Sequence, residues 1–132
     1  MEKIKQVILI RRDLNMRRGK EIAQGSHASM DFLIERMRGG EKNKLSNRVS
    51  IDLSDAEIKW ISDGMAKICL QVTSESELLM LSEKAARAGL ETHLIRDSGK
   101  TEFGGVPTFT ALAIGPALAE SIDAVTGDLP LY

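Results

Sequence analysis

Three cations crowd one turn of the chain. Arg17 and Arg18 precede Gly19, and Lys20 follows it where a helical pattern begins. The first amides of a helix have no partner inside it and carry partial positive charge. A lysine ammonium beside them, flanked by guanidinium groups, can hold a phosphate. The competing reading is a solvated basic turn without a ligand. The first 20 residues hold seven basic and two acidic groups, net +5, so the remaining 112 carry −6. One basic face on an otherwise acidic body follows from that asymmetry.

Other candidate chemistry falls away. Gly99-Lys100-Thr101 ends like a phosphate-binding P-loop, but the required earlier glycine is Leu94, and no strand–loop–helix surrounds it. No G-x-G-x-x-G and no G-x-S-x-G occurs. His27 and His93 are the only histidines, and neither has a second ligand at metal spacing, so no metal site is expected. His27 is read either as a hydrogen-bonded histidine at the core boundary or as a group that touches substrate. The lone cysteine, Cys69, excludes an internal disulfide and is expected to pack within a strand. Trp60 is expected in the core or in a lid, and 4% aromatic residues argue against base stacking as the main mode of binding.

The elements that must position these groups follow from periodicity. Residues 4–12 centre on Val7-Ile8-Leu9-Ile10, which reads as a strand buried on both faces. A helix follows from about 20 to 38, ended by Gly39-Gly40. On it, Ile22, Ser26, Met30, Leu33 and Met37 form the apolar side. Lys20, Gln24, His27 and Asp31 form a flanking stripe able to face a cleft. Residues 41–52 read as a loop. Ser54 and Glu57 have capping-box spacing for a helix over 55–62. A second strand spans 66–72. Ser74 and Glu77 then start a helix whose buried face is Leu78, Leu81, Ala85 and Ala88, with Gly89 as its stop. A third strand covers 91–96, a glycine-containing loop expected to be mobile covers 98–107, and a fourth strand covers 108–114. Gly115-Pro116 is expected to open the last helix. This order predicts an α/β three-layer sandwich, a four-stranded mixed sheet flanked by helices on both faces. Strands joined by helical crossovers end on one edge, and the fourth runs back from it. Lys20, Asp97 and Thr110 are therefore predicted at one rim, where open α/β sheets bind ligands.

Composition sets the outer limits. The chain has 132 residues, 42% hydrophobic and 28% charged, with a net charge of −1. That fits a single domain over 1–132 and a packed core. The longest aliphatic run is too short for a membrane span or a secretory signal, so a cytoplasmic protein without membrane contact is expected.

Four blocks carry a family resemblance: residues 16–28 (MRRGKEIAQGSHA), 94–101 (LIRDSGKT), 110–116 (TALAIGP) and 122–129 (IDAVTGDL). In this order they resemble the type 2, archaeal and eukaryotic, peptidyl-tRNA hydrolases. Gly25 stands where that family commonly has cysteine, Arg17-Arg18 replaces a Gly-Lys type pair, and 43–63 is diverged. The resemblance implies hydrolysis of the ester between a peptide and the 3′-terminal ribose of tRNA, with peptidyl-tRNA as nucleic-acid partner. It also implies no metal or organic cofactor, and a homodimer. By the same resemblance Lys20, Asp97 and Thr110 map to the catalytic site, Thr110 being chosen over Thr108 because it keeps the spacing to Gly115-Pro116. Arg12, Arg17, Arg18, Gln24, Ser26 and His27 are then substrate-binding candidates. Chemistry favours an attacking water oriented by Asp97, directly or through Thr110, with Lys20 stabilising charge. Two rivals remain: a non-catalytic tRNA-binding or protein-interaction module, and a deacylase acting on aminoacyl-tRNA.

Overall fold

Val7 and Leu9 on one side of the first strand and Ile8 and Ile10 on the other are all nearly solvent-free, so this strand has to lie inside a sheet covered on both faces. The computed structural model, which describes residues 2–43 and 45–132, puts it there. The main sheet has the order β4-β1-β6-β5, built from β1 (Ile4–Arg11), β4 (Lys67–Val72), β5 (Thr92–Asp97) and β6 (Thr108–Leu118). β4 runs parallel to β1, whereas β6 lies between β1 and β5, antiparallel to both. Helix α1 (Arg18–Gly39) packs on one face, where Ile8, Ile10, Ala28, Ala111 and Ala113 form a core. Helices α3 (Glu75–Arg87) and α4 (Ala119–Thr126) cover the other face, over Val7, Leu9, Leu112 and Ile114. The expected three-layer α/β arrangement is the observed one.

Local signals explain most boundaries. Helix α2 (Asp55–Ser62) starts with a complete capping box: the Glu57 amide donates to Ser54 Oγ (3.1 Å), and the Ser54 amide donates to Glu57 Oε1 (2.7 Å). Trp60 of α2 is a core residue, its ring edge-on to Phe32 at 5.9 Å and its indole N–H on the Ala66 carbonyl.

Several expectations are corrected. Residues expected as a loop contain a short hairpin, β2 (Glu41–Asn43) with β3 (Arg48–Ser50). The last helix does not open at Gly115-Pro116. Strand β6 continues through it, because Ala117 and Leu118 pair with Lys5 and Ile4 beyond a register shift. A bulge absorbs the Gly-Pro, where a missing N–H does no harm. Cys69 is exposed rather than packed. Within the 98–107 loop there is a 3₁₀ turn at Phe103–Gly105, and the Gly105 amide donates to the Gly99 carbonyl at 2.9 Å.

The largest correction concerns the facing of α1. Gln24, Ala28 and Phe32 are buried against the sheet, while Ile22, Met30 and Met37 are exposed. Gln24 and Ala28 present little or no apolar bulk, so hydrophobicity alone put the inner face on the wrong side of the helix.

Candidate active site

The rim where β1 and β5 end also receives the N-terminus of α1. Lys20, in the first turn of α1, donates to Asp97 Oδ1 at 2.9 Å and to Thr101 Oγ1 at 2.8 Å. Its ammonium also stands 6.0 Å from the centre of the Phe103 ring. An ammonium has three donors, so one remains for another acceptor. The side chains of Lys20 and Asp97 are only 14% and 13% exposed. Asp97 Oδ2 accepts from the Gly99 amide at 2.9 Å. That contact needs a backbone only glycine supplies. Gly99 has φ of +80°, and a Cβ there would lie 2.2 Å from the Val106 carbonyl oxygen.

Gln24 joins this pair to Thr110. Its amide donates to Asp97 Oδ1 at 3.3 Å, and its side-chain oxygen accepts from the Thr110 hydroxyl. Gln24 is 2% exposed and Thr110 is fully buried. Thr110 reaches this network because of a defect in pairing. Ile95 opposes Ala111 and Arg96 opposes Phe109, so Thr110 is an extra residue in β6. Such a bulge re-aims one side chain. Here it sends the hydroxyl to the α1 side, although strict alternation would send it with Leu112 toward α3.

The electrostatics follow from these contacts. Burial alone would push the Asp97 carboxyl up. The hydrogen bonds from Lys20, Gly99 and Gln24, with the Lys20 charge, outweigh burial and hold it below the usual carboxylate range. Asp97 is therefore ionised at neutral pH. A carboxylate so stabilised is a weak base.

The remaining predicted residues divide. His27 is exposed and lines a cleft with Gln24 and Asp97, which overturns its reading as a core-boundary histidine. Arg18 is exposed at the helix start. Arg17 is exposed and pairs with Glu102 at 2.9 Å. Arg12 lies over the Tyr132 ring at 5.3 Å, and the Tyr132 hydroxyl donates to Glu21. Burial and that carboxylate push the Tyr132 pKa up to about 12. Ser26 is not in the site. It is two residues, about 200° around the helix, from Gln24, and its hydroxyl donates to the Ile22 carbonyl at 2.8 Å. It lines a separate apolar groove of about 460 Å³ between α1 and β4.

Sequence reasoning missed two partners. The Gly99 amide had a signal, since an aspartate often accepts from the amide two residues on. Thr101 had none. It also missed that Asp31, Glu35 and His93 bring their ligand atoms within 4.8 Å of one another, because they come from α1 and β5. Among the described residues this is the one histidine–carboxylate group that could hold a metal ion. Its members contact each other, His93 Nδ1 lying 3.0 Å from Asp31 and 3.3 Å from Glu35, while Nε2 is 2.7 Å from Glu91 outside the group. Burial alone would lower the His93 pKa, but Glu91, Glu35 and Asp31 raise it above the ordinary value.

Comparison with known proteins fits this geometry. The family model "Peptidyl-tRNA hydrolase PTH2" matches residues 4–132. The peptidyl-tRNA hydrolase of Methanopyrus kandleri is 40% identical over 127 residues, covering 96% of this chain and 97% of that protein. That of Halobacterium salinarum R1 is 41% identical over 130 residues, covering 98% and 100%. A probable peptidyl-tRNA hydrolase 2 of Dictyostelium discoideum is 40% identical over 128 residues, 97% of this chain and 54% of its own. A solved Agrobacterium protein of unknown function shares the fold at a TM-score of 0.58, with 11% identity over 100% of this chain and 99% of that one. With the match running from the first strand to the last residue, and the rim residues of the matched blocks joined in one hydrogen-bonded network, this chain belongs to the peptidyl-tRNA hydrolase PTH2 family.

Proposed function

We propose that the chain hydrolyses peptidyl-tRNA at the ester between the peptide and the 3′-terminal ribose, in the cytoplasm, without a metal or organic cofactor, and so returns tRNA to use. The observation that carries this reading is the chain of contacts Lys20–Asp97–Gln24–Thr110 beside the start of α1. Lys20 and the first amides of α1 offer donors to the oxygen that becomes negative when water adds to the ester carbonyl. Preorganised donors of this kind are worth about 3 kcal/mol each. Asp97 orients the water. Its basicity rises as the Lys20 charge turns to the substrate, so it accepts the proton when the bond forms. The carbon–oxygen bond to the ribose then breaks as Asp97 returns that proton to the ribose oxygen, and the peptide leaves as a carboxylic acid that ionises to a carboxylate in water. Thr110 is fully buried, which supports a positioning role over that of a covalent nucleophile. Arg12, Arg17 and Arg18 grip phosphates of the acceptor end.

The decisive experiment measures release of tRNA by purified protein from N-blocked and free-amine substrates, alongside Lys20→Ala and Asp97→Ala. Cleavage of the blocked substrate only, lost in both folded variants, is expected. Preference for the free amine would replace this reading with a deacylase, and binding without cleavage would make the chain a non-catalytic module. The homodimer belongs to the same proposal and is read by sedimentation.

A further inference from the structure

The main sheet has two edges, and they are treated differently. The edge of β4 is covered by the C-terminal tail: the Gln71 amide donates to the Pro130 carbonyl at 3.0 Å, and the Tyr132 amide donates to the Cys69 carbonyl at 3.0 Å. Among the described residues β5 pairs only with β6. The Gly115 amide donates to the Glu91 carbonyl at 2.8 Å. With the register His93–Ala113 and Ile95–Ala111, antiparallel alternation turns the amides of His93 and Ile95 toward β6. Those of Thr92 and Leu94 point away from the sheet. Open edges of this kind accept another strand, and proteins that do not use them usually blunt them.

This edge leads into the candidate active site. A cleft of about 620 Å³ lies between α1 and β5. Gln24 and Asp97 stand at one end of it, and Glu35 and Arg38 line it further along α1. The cations that suit RNA phosphates, Arg17, Arg18 and Lys20, stand at the start of α1. Within the cleft Asp31, Glu35 and Asp97 stand against Arg38 and Arg96, so its lining lacks the excess of cations found at the start of α1. RNA and cleft occupant therefore part company at Asp97, where the ester is placed.

We propose that the peptide moiety of the substrate binds as an added strand on the open edge of β5. This inference rests on the peptidyl-tRNA reading above. The ester carbonyl is the C-terminal end of the peptide and sits at Asp97, so the peptide runs parallel to β5, with its N-terminus toward Thr92. From Asp97 to Thr92 is five steps, about 16 Å, which is room for about five extended residues. Main-chain pairing makes the site tolerant of peptide sequence, since every peptide offers the same backbone groups. Alternate side chains enter the cleft beneath α1.

The test uses tRNA charged with N-acetylated peptides of one to six residues, and tetrapeptides carrying a single N-methyl group at each position in turn. Pairing predicts that kcat/KM rises with length to about five residues and then levels. Each paired amide contributes about fivefold. N-methylation lowers kcat/KM by about that factor at alternate positions only. Cleavage of all substrates at one rate, blind to length and N-methylation, overturns the added strand and leaves the hydrolase reading intact. A uniform loss at every N-methyl position overturns it too, because crowding rather than pairing would explain that. Failure to cleave any N-blocked substrate removes both readings.

Discussion

Thr110 offers the sharpest separation of roles, because Thr110→Val keeps its shape and removes one hydroxyl. Among the described residues the Thr110 hydroxyl hydrogen-bonds only to the Gln24 side-chain oxygen, and both residues are buried. Removing the donor leaves a buried acceptor unpaired, which costs about 1–3 kcal/mol of stability. For a chain of this size that lowers Tm by roughly 3–10 °C. The effect on rate reaches Asp97 only through Gln24. Loss of one neutral hydrogen bond, about 1 kcal/mol, is worth about fivefold, and a misplaced Gln24 extends the loss to about 100-fold at most. Removing a covalent nucleophile would instead cost about 10⁴-fold or more. Single-turnover release of tRNA by folded Thr110→Val and Thr110→Ser, with circular dichroism as the folding control, decides between them. A Val variant within 100-fold of wild type, restored by Ser, is the expected result. Background rates from a folded Val variant, or a burst of acyl-enzyme in the wild type, would refute the positioning argument.

Other consequences are checked in the same preparations. Asp97→Asn keeps the shape but loses the charge facing Lys20, and kcat/KM falls by about 10²–10³-fold with the fold retained by circular dichroism. The folded-state pKa of Asp97 is lowered, so its stabilising contribution is present above the unfolded carboxylate pKa and fades as pH falls through the lowered value. Acid unfolding of Asp97→Asn should accordingly lack that component. For His93 the sign reverses, since its folded pKa is raised. The contribution is full below about 6.5, the unfolded value, and is lost as pH rises through the folded one. Urea midpoints of wild type and His93→Gln should therefore converge toward alkaline pH. Gly99→Ala forces a residue with φ of +80° against the Val106 backbone, withdrawing the amide from Asp97; destabilisation above about 1 kcal/mol, seen in urea midpoints, is expected along with loss of hydrolysis. On the proposed reading, Arg18→Ala leaves one tRNA phosphate without its cation. The slope of log affinity against log salt, measured by filter binding of tRNA, should then fall by about 0.7–0.9.

The sequence by itself determined the elements and their meeting point. Its apolar run made β1 central, Ser54 and Glu57 capped α2, and the order of strands and crossovers carried Lys20, Asp97 and Thr110 to one rim. These are local or topological facts, set by periodicity, caps and the handedness of connections. The facing of α1 was not legible, because a helix that lays Gln24 and Ala28 on the sheet breaks the link between hydrophobicity and burial. Nor was the bulge that turns Thr110 toward α1, since strand alternation argues the other way. The Gln24 bridge, the His93 cluster and the open edge of β5 each join or expose groups from different elements. No spacing along the chain encodes such contacts. They exist only once helix and sheet have docked, and tertiary packing decided them.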